Sequence, residues 1–166
     1  MTGKHNNEAT QCCPKFNPEP WDEREITWKD KLFVKDSMIQ FMHMPQPGAF
    51  GRTVERMWKK IEDAGANPDI KDFLMLAYDP SPWKGELYIN VTKEVPNAEN
   101  VKFSGTYLTK VFDGPYNAVP KWIREMDRYV TQKGQKVKKY YFYYTTCPKC
   151  AEIYGNNYVV VFAEVQ

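Results

Sequence analysis

The sequence predicts an α+β fold in which two tandem βαββ repeats form one antiparallel sheet with two helices and a groove at the repeat seam. Three observations predict it. Each half of the chain carries one amphipathic helical stripe, each stripe is flanked by strand-like segments in the same order, and glycines bound both stripes at matching places, Gly48 with Gly114 and Gly65 with Gly134. At 166 residues, with 42% hydrophobic and 27% charged residues, the chain suits one compact domain and does not have the composition of a disordered one.

Residues 1–27 read as an irregular arm, since residues 1–20 hold three prolines and no periodicity. A single domain is expected over 28–166, with repeat 1 at about 28–96 and repeat 2 at about 103–166. From Trp28 to Met44 the β-branched, aromatic and Met content predicts one bent strand or two short ones, ended by Pro45-Gln46-Pro47-Gly48. The first helix is expected over 50–64, where Phe50, Val54, Met57, Trp58 and Ile61 recur at spacings of 4, 3, 1 and 3 and Gly65 offers a stop. Strands follow at Asp72 to Tyr78 and Glu86 to Lys93, joined by a turn-rich Pro, Ser and Gly segment.

The second half repeats the order: strand Gly105 to Phe112, a turn at Asp113-Gly114-Pro115, a helix over 117–133, then strands Lys139 to Thr145 and Asn157 to Val165. Tyr116, Val119, Trp122, Ile123, Met126, Tyr129 and Val130 form this helix's apolar stripe, and Pro120 is tolerated in a first turn. Neither half buries much surface by itself, so the two are expected to share a sheet, and the cleft between repeats is where a small-molecule site is expected.

Composition excludes several functions. A net charge of +2, from 23 basic and 21 acidic residues, generates no field favouring nucleic acid or an anionic membrane. The longest apolar stretch, around Tyr158 to Val165, is far shorter than the roughly 20 residues of a membrane helix. Residues 1–20 contain no signal-peptide core. A soluble, cytoplasmic protein that binds neither nucleic acid nor membrane is expected, its oligomeric state not legible. The surplus lies in the aromatics: 11 Tyr, 9 Phe and 5 Trp exceed what a core of this size needs and point to rings lining a ligand site.

The candidate box for a small hydrophobic or aromatic ligand is Tyr107, Trp122, Tyr141, Tyr143, Tyr158 and Phe162. Strand alternation sends Tyr141 and Tyr143 to one face and Tyr140, Phe142 and Tyr144 to the other, so one set alone can face the groove. Trp122 has a competing role as core filler on its helix stripe. For general acid/base chemistry the candidates are Glu164, which shares a strand face with Tyr158 and Phe162, and Glu125 on the second helix. The two histidines, His5 and His43, form no Ser-His-Asp set, and His43 reads as a structural or surface residue rather than a base.

Four cysteines fall in two pairs, Cys12-Cys13 and Cys147-Pro148-Lys149-Cys150. A C-x-x-C hairpin presents two thiolates to one zinc, and Cys12 or Cys13, with His5 or water, would complete the site. A redox pair, reduced structural thiols and, in an exported protein, a disulfide are the rival readings. A thioredoxin-type site is disfavoured, since there C-x-x-C opens a helix after a parallel strand, whereas here it is expected between antiparallel strands.

From Phe103 the segment FSGTYLTKVFDGPYNAVPKWIREMDRYV resembles the GyrI-like effector-binding family, in which a strand ends in a Phe-x-Gly-Pro-Tyr turn before a helix, here Phe112-Asp113-Gly114-Pro115-Tyr116. The continuation YFYYTTCPKCAEIYGNNYVVVFAEV looks like a stand-alone subgroup commonly labelled hydrolases without an assigned substrate. The resemblance runs from about Lys31 to the end, with its specific motifs in 103–165. It implies tandem βαββ units and an aromatic cleft for hydrophobic, often cationic, small molecules, with hydrolysis in the same groove or a protein-binding inhibitory role as alternatives. Some relatives carry a buried carboxylate on the strand leading into the last hairpin, to counter a drug cation or to act as the acid/base of hydrolysis. Here that position aligns with Phe142, so neither a counter-charge for a cation nor a Glu-driven hydrolysis is supplied there.

Overall fold

In the computed structural model, residues 15–146 and 148–166 are described, apart from the side chains of residues 148 and 149. The first strand, β1 (Arg24–Phe41), starts inside the stretch read as arm and runs for 18 residues, bent by a register shift between Trp28 and Lys31. A two-residue turn at Met42 and His43, both with positive φ, returns it to the short β2 (Met44–Pro45). Then come α1 (Ala49–Asp63), β3 (Met75–Ser81) and β4 (Lys84–Asn90). The second repeat holds β5 (Glu99–Asp113), α2 (Val119–Gln132), β6 (Val137–Tyr144), α3 (Pro148–Tyr154) and β7 (Tyr158–Val165). The expected β-hairpin at the C-x-x-C motif is instead a seven-residue helix, α3, between antiparallel β6 and β7.

Both long helices stop the same way. Gly65 donates to the Glu62 carbonyl and Ala66 to that of Ile61, and Gly134 donates to Thr131 and Gln135 to Val130. Gly65 and Gly134 have φ of 62° and 72°, the left-handed conformation that this helix stop needs and that glycine takes without a side-chain clash.

All strand pairings are antiparallel, in the order β2-β1-β4-β3-β6-β7-β5, and an additional β1–β5 pairing closes six of the seven strands into a barrel. Each repeat supplies three barrel strands, β1, β3 and β4 or β5, β6 and β7. At both seams a strand meets its counterpart in the other repeat, β1 with β5 and β3 with β6, as a two-fold relation between repeats requires. The seams are unequal: β1–β5 pairs Arg24 through Lys35, whereas β3–β6 pairs through Ala77 and Phe142.

The helices cover the outside of this sheet. Met57 and Ile61 of α1 pack on Val34, Leu87 and Ile89, while Trp122, Met126 and Val130 of α2 pack on Leu108, Val159, Val161 and Ala163. Alternation along β7 therefore sends the odd-numbered residues outward beneath α2 and the even-numbered ones into the barrel. The face expected to line a groove at the repeat seam is the inner face of this barrel. No helix among the described residues is long and apolar enough to cross a membrane.

Candidate functional site

The barrel interior is built largely of rings. Phe33, Tyr88, Tyr107, Tyr141 and Phe162 are buried there with Leu74, Leu76 and Val160, and Trp28, Tyr78, Phe103 and Tyr143 pack against them half-buried. Ring centroids lie 4.8 Å apart for Trp28 and Tyr107, 4.7 Å for Phe33 and Phe103, 5.3 Å for Phe103 and Tyr141, and 5.5 Å for Tyr78 and Tyr141. Residues from both repeats thus form one network at the separations that aromatic pairs prefer.

Two residues of the segment before β1 complete it. The Phe16 ring meets Tyr143 at 6.1 Å and Tyr158 at 6.0 Å, and Trp21 meets Phe162 at 5.6 Å and Tyr143 at 6.4 Å. Trp21 is fixed in place by its backbone. Its carbonyl accepts a hydrogen bond from Thr109 Oγ1 at 2.5 Å, and the neighbouring Asp22 carboxylate accepts one from the Val111 amide at 3.1 Å.

Of the sequence-predicted box, Tyr107, Tyr141, Tyr143, Tyr158 and Phe162 come together on this inner face. Trp122 does not: it is buried beneath α2, stacked on Phe112 at 5.7 Å on the opposite side of the sheet. A helix can cover one face of a sheet while the box occupies the other, so helix and box residues cannot meet. Phe142 also lies beneath α2, and the inward positions of β6 are Tyr141 and Tyr143.

Glu164 lies half-buried on the inward side of β7, paired across strands with Tyr107. Burial, reinforced by the Glu164 charge, pushes the Tyr107 hydroxyl up to about 12 and raises that of Tyr141 as well, so both phenols are neutral donors at ordinary pH. Glu125 stands elsewhere, on α2, with Lys121 at 3.9 Å. His43 is an exposed partner of Asp79, at 2.7 Å.

The sequence reading missed Glu86. It is 8% exposed on the inward side of β4, accepts a 2.6 Å hydrogen bond from the Tyr88 hydroxyl, and has Lys35 Nζ at 3.4 Å and Lys84 Nζ at 3.6 Å. Burial alone would raise its carboxyl, but the Tyr88 hydrogen bond and the two ammonium groups hold it below the ordinary carboxylate range. Tyr88 moves the opposite way, its phenol raised by burial and by donating to Glu86. The available signal was the two-residue spacing of Glu86 and Tyr88, which places them on one strand face.

Cys150 is buried in α3, while Cys12, Cys13, Cys147 and His5 lie outside the described residues. Among the described residues no three His, Cys, Asp or Glu side chains converge as a metal site. Two surface clefts open elsewhere. One of about 290 Å³, between α1 and β1, contains the Asp36–Arg56 ion pair at 2.8 Å. Another of about 460 Å³ beside the Met42 turn is lined by Phe41, Met44 and Pro47. Neither joins rings to a buried carboxylate as the barrel interior does with Glu86.

A family model described as bacterial hydrolase matches residues 3–165. The crystal structure of the EcmrR C-terminal domain is similar, with a TM-score of 0.65 and 12% identity over 86% of this chain and 94% of that one. An uncharacterized conserved protein from Listeria innocua gives a TM-score of 0.63 at 10% identity, over 87% of this chain and 93% of that one. A hydrolase from the same organism gives 0.62 at 10%, over 86% and 91%. At these identities the likeness is one of fold. No curated protein matches the sequence.

Proposed function

Because the chain belongs to the bacterial hydrolase family and has the GyrI-like effector-binding fold, we propose that it binds a small hydrophobic or aromatic molecule against the inner face of its barrel. The observation that carries this reading is the hydroxyl content of that interior. A core filled for stability alone is served best by aliphatic side chains, and burying a phenol costs free energy unless its hydroxyl is bonded. Here Tyr88, Tyr107 and Tyr141 are buried on one face with a carboxylate at either hand, Glu86 beside Tyr88 and Glu164 opposite Tyr107. Flat faces supply dispersion for an apolar ring, and the neutral hydroxyls supply hydrogen bonds to its polar substituents.

Hydrolysis is the second reading, favoured by the pairing of Glu164 with neutral Tyr107. Glu164 takes a proton from water as the water oxygen adds to the scissile carbon, then delivers that proton to the departing group. Tyr107 and Tyr141 remain protonated throughout and hydrogen-bond the developing negative charge.

Intrinsic Trp fluorescence tests binding. Saturable quenching by flat apolar molecules is expected, with dissociation constants in the micromolar range, about −8 kcal/mol. A broad panel of such molecules producing neither quenching nor a thermal shift would refute the binding reading. A panel of esters, epoxides and strained rings tests hydrolysis, and Glu164→Gln is expected to slow turnover by about 10²–10⁴-fold.

A further inference from the structure

We infer that Phe16 is an internal occupant of an aryl subsite in the barrel, between Tyr143 and Tyr158, and that the aryl group of a bound small molecule replaces it there. The inference rests on the binding reading above and specifies one wall of that site and the ligand class it accepts. Phe16 meets Tyr143 edge-on, with an interplanar angle of 90° at 6.1 Å, and meets Tyr158 tilted at 6.0 Å. These are contacts that a phenyl-sized ring from any source would make with the same two side chains.

The two ends of the segment are held differently. Trp21 belongs to a turn in which the Pro18 carbonyl accepts from the amides of Trp21 and Asp22, both at 3.0 Å. That turn is fastened to β5 by Thr109 and Val111, and Lys110 Nζ lies 3.2 Å from Glu23. Phe16 precedes Pro18, on the side of the turn away from these fastenings, and its ring is half-buried. Rotation about the backbone between residues 16 and 18 withdraws the Phe16 ring while Trp21 remains as a fixed wall beside Phe162.

A tethered ring competes with any free ligand at high effective concentration, so the apparent affinity for an aryl compound reports how often the subsite is vacant. The ligand class follows: a molecule with a monocyclic, flat ring that replaces Phe16, extended by a further apolar portion toward Phe162, which gives it contacts the phenylalanine does not make.

The test uses the full chain and 4-phenylphenol as probe. Calorimetry on the parent and on Phe16→Ala gives the two dissociation constants. In parallel, fluorine resonance of 4-fluorophenylalanine placed at position 16 reports the ring's surroundings without removing it. If the subsite is vacant about one-tenth of the time, Phe16→Ala binds the probe about tenfold more tightly than the parent. In the labelled protein the fluorine signal moves to its solvent-exposed position in step with saturation. Equal or weaker binding by Phe16→Ala, with an unmoved fluorine signal, overturns the subsite and leaves the binding reading intact. Binding of the probe to neither form also overturns the subsite, and the binding reading falls with it only if the broad panel of flat apolar molecules fails as well.

Discussion

Replacing Tyr88 with Phe removes one oxygen from the barrel interior and with it the 2.6 Å hydrogen bond to Glu86. Glu86 and Tyr88 are 8% and 6% exposed, so bulk water cannot stand in for the lost donor. Lys35 at 3.4 Å and Lys84 at 3.6 Å still face the carboxylate and soften the loss. A hydrogen bond to a charged group contributes roughly 1.5–3 kcal/mol, so a destabilisation of about 2 kcal/mol is expected. For a chain of this length that corresponds to a fall in Tm of about 4–8 °C. The pH dependence follows from the direction of the Glu86 shift. Its folded pKa lies below the ordinary 4.5, despite burial, because Tyr88 and the lysines favour the charged form. Such a group stabilises the fold above its unfolded pKa and loses that contribution as pH falls through the folded value. The stability gap between parent and Tyr88→Phe is therefore flat from about pH 8 to 6 and narrows below about 4.5. Urea unfolding followed by Trp fluorescence across this range measures it. A gap under about 0.5 kcal/mol at pH 7, or one that widens on acidification, would refute the charge-assisted bond as a source of stability.

Thr109→Val deletes the hydroxyl that holds the Trp21 carbonyl at 2.5 Å, and is expected to cost about 1 kcal/mol and to speed proteolysis of the described arm residues, as read by mass spectrometry of the fragments. Ligand quenching is expected to survive Trp122→Phe, since Trp122 lies beneath α2, and to weaken in Trp28→Phe, whose ring lies 4.8 Å from Tyr107; quenching lost in the former alone would place the ligand outside the barrel. Glu125→Gln breaks a partly exposed pair with Lys121 and should shift stability by less than about 0.5 kcal/mol and leave any hydrolysis unchanged, so a large fall in turnover would move the catalytic site to α2.

Both long helices were legible in the sequence because their stripes recur at helical spacing and their glycines occupy the one position of a helix stop that requires positive φ, as Gly65 and Gly134 do. The inward and outward faces of β6 and β7 were legible too, since strand alternation alone separates Tyr141 and Tyr143 from Phe142 and sets Glu164 on the face of Phe162. Local periodicity could not reveal α3, whose seven residues are too few to show a helical repeat. Nor could it attach Phe16 and Trp21 to the site, because they lie in an aperiodic segment and their ring partners are more than a hundred residues away.

The decisive step was the closure of the barrel. In Lys84-Gly85-Glu86-Leu87-Tyr88-Ile89-Asn90 the alternation marks Leu87 and Ile89 as core and gives Glu86 and Asn90 the look of a solvent face. Leu87 and Ile89 do lie beneath α1. The alternation could not show that the other face is enclosed as well, because enclosure comes from β1 pairing simultaneously with β4 and with β5 of the second repeat. Periodicity along a strand determines which side chains share a face. What that face meets depends on pairings between distant segments, and here they convert the more polar face of β4 into an interior where Glu86 remains charged because Tyr88, Lys35 and Lys84 take the place of water.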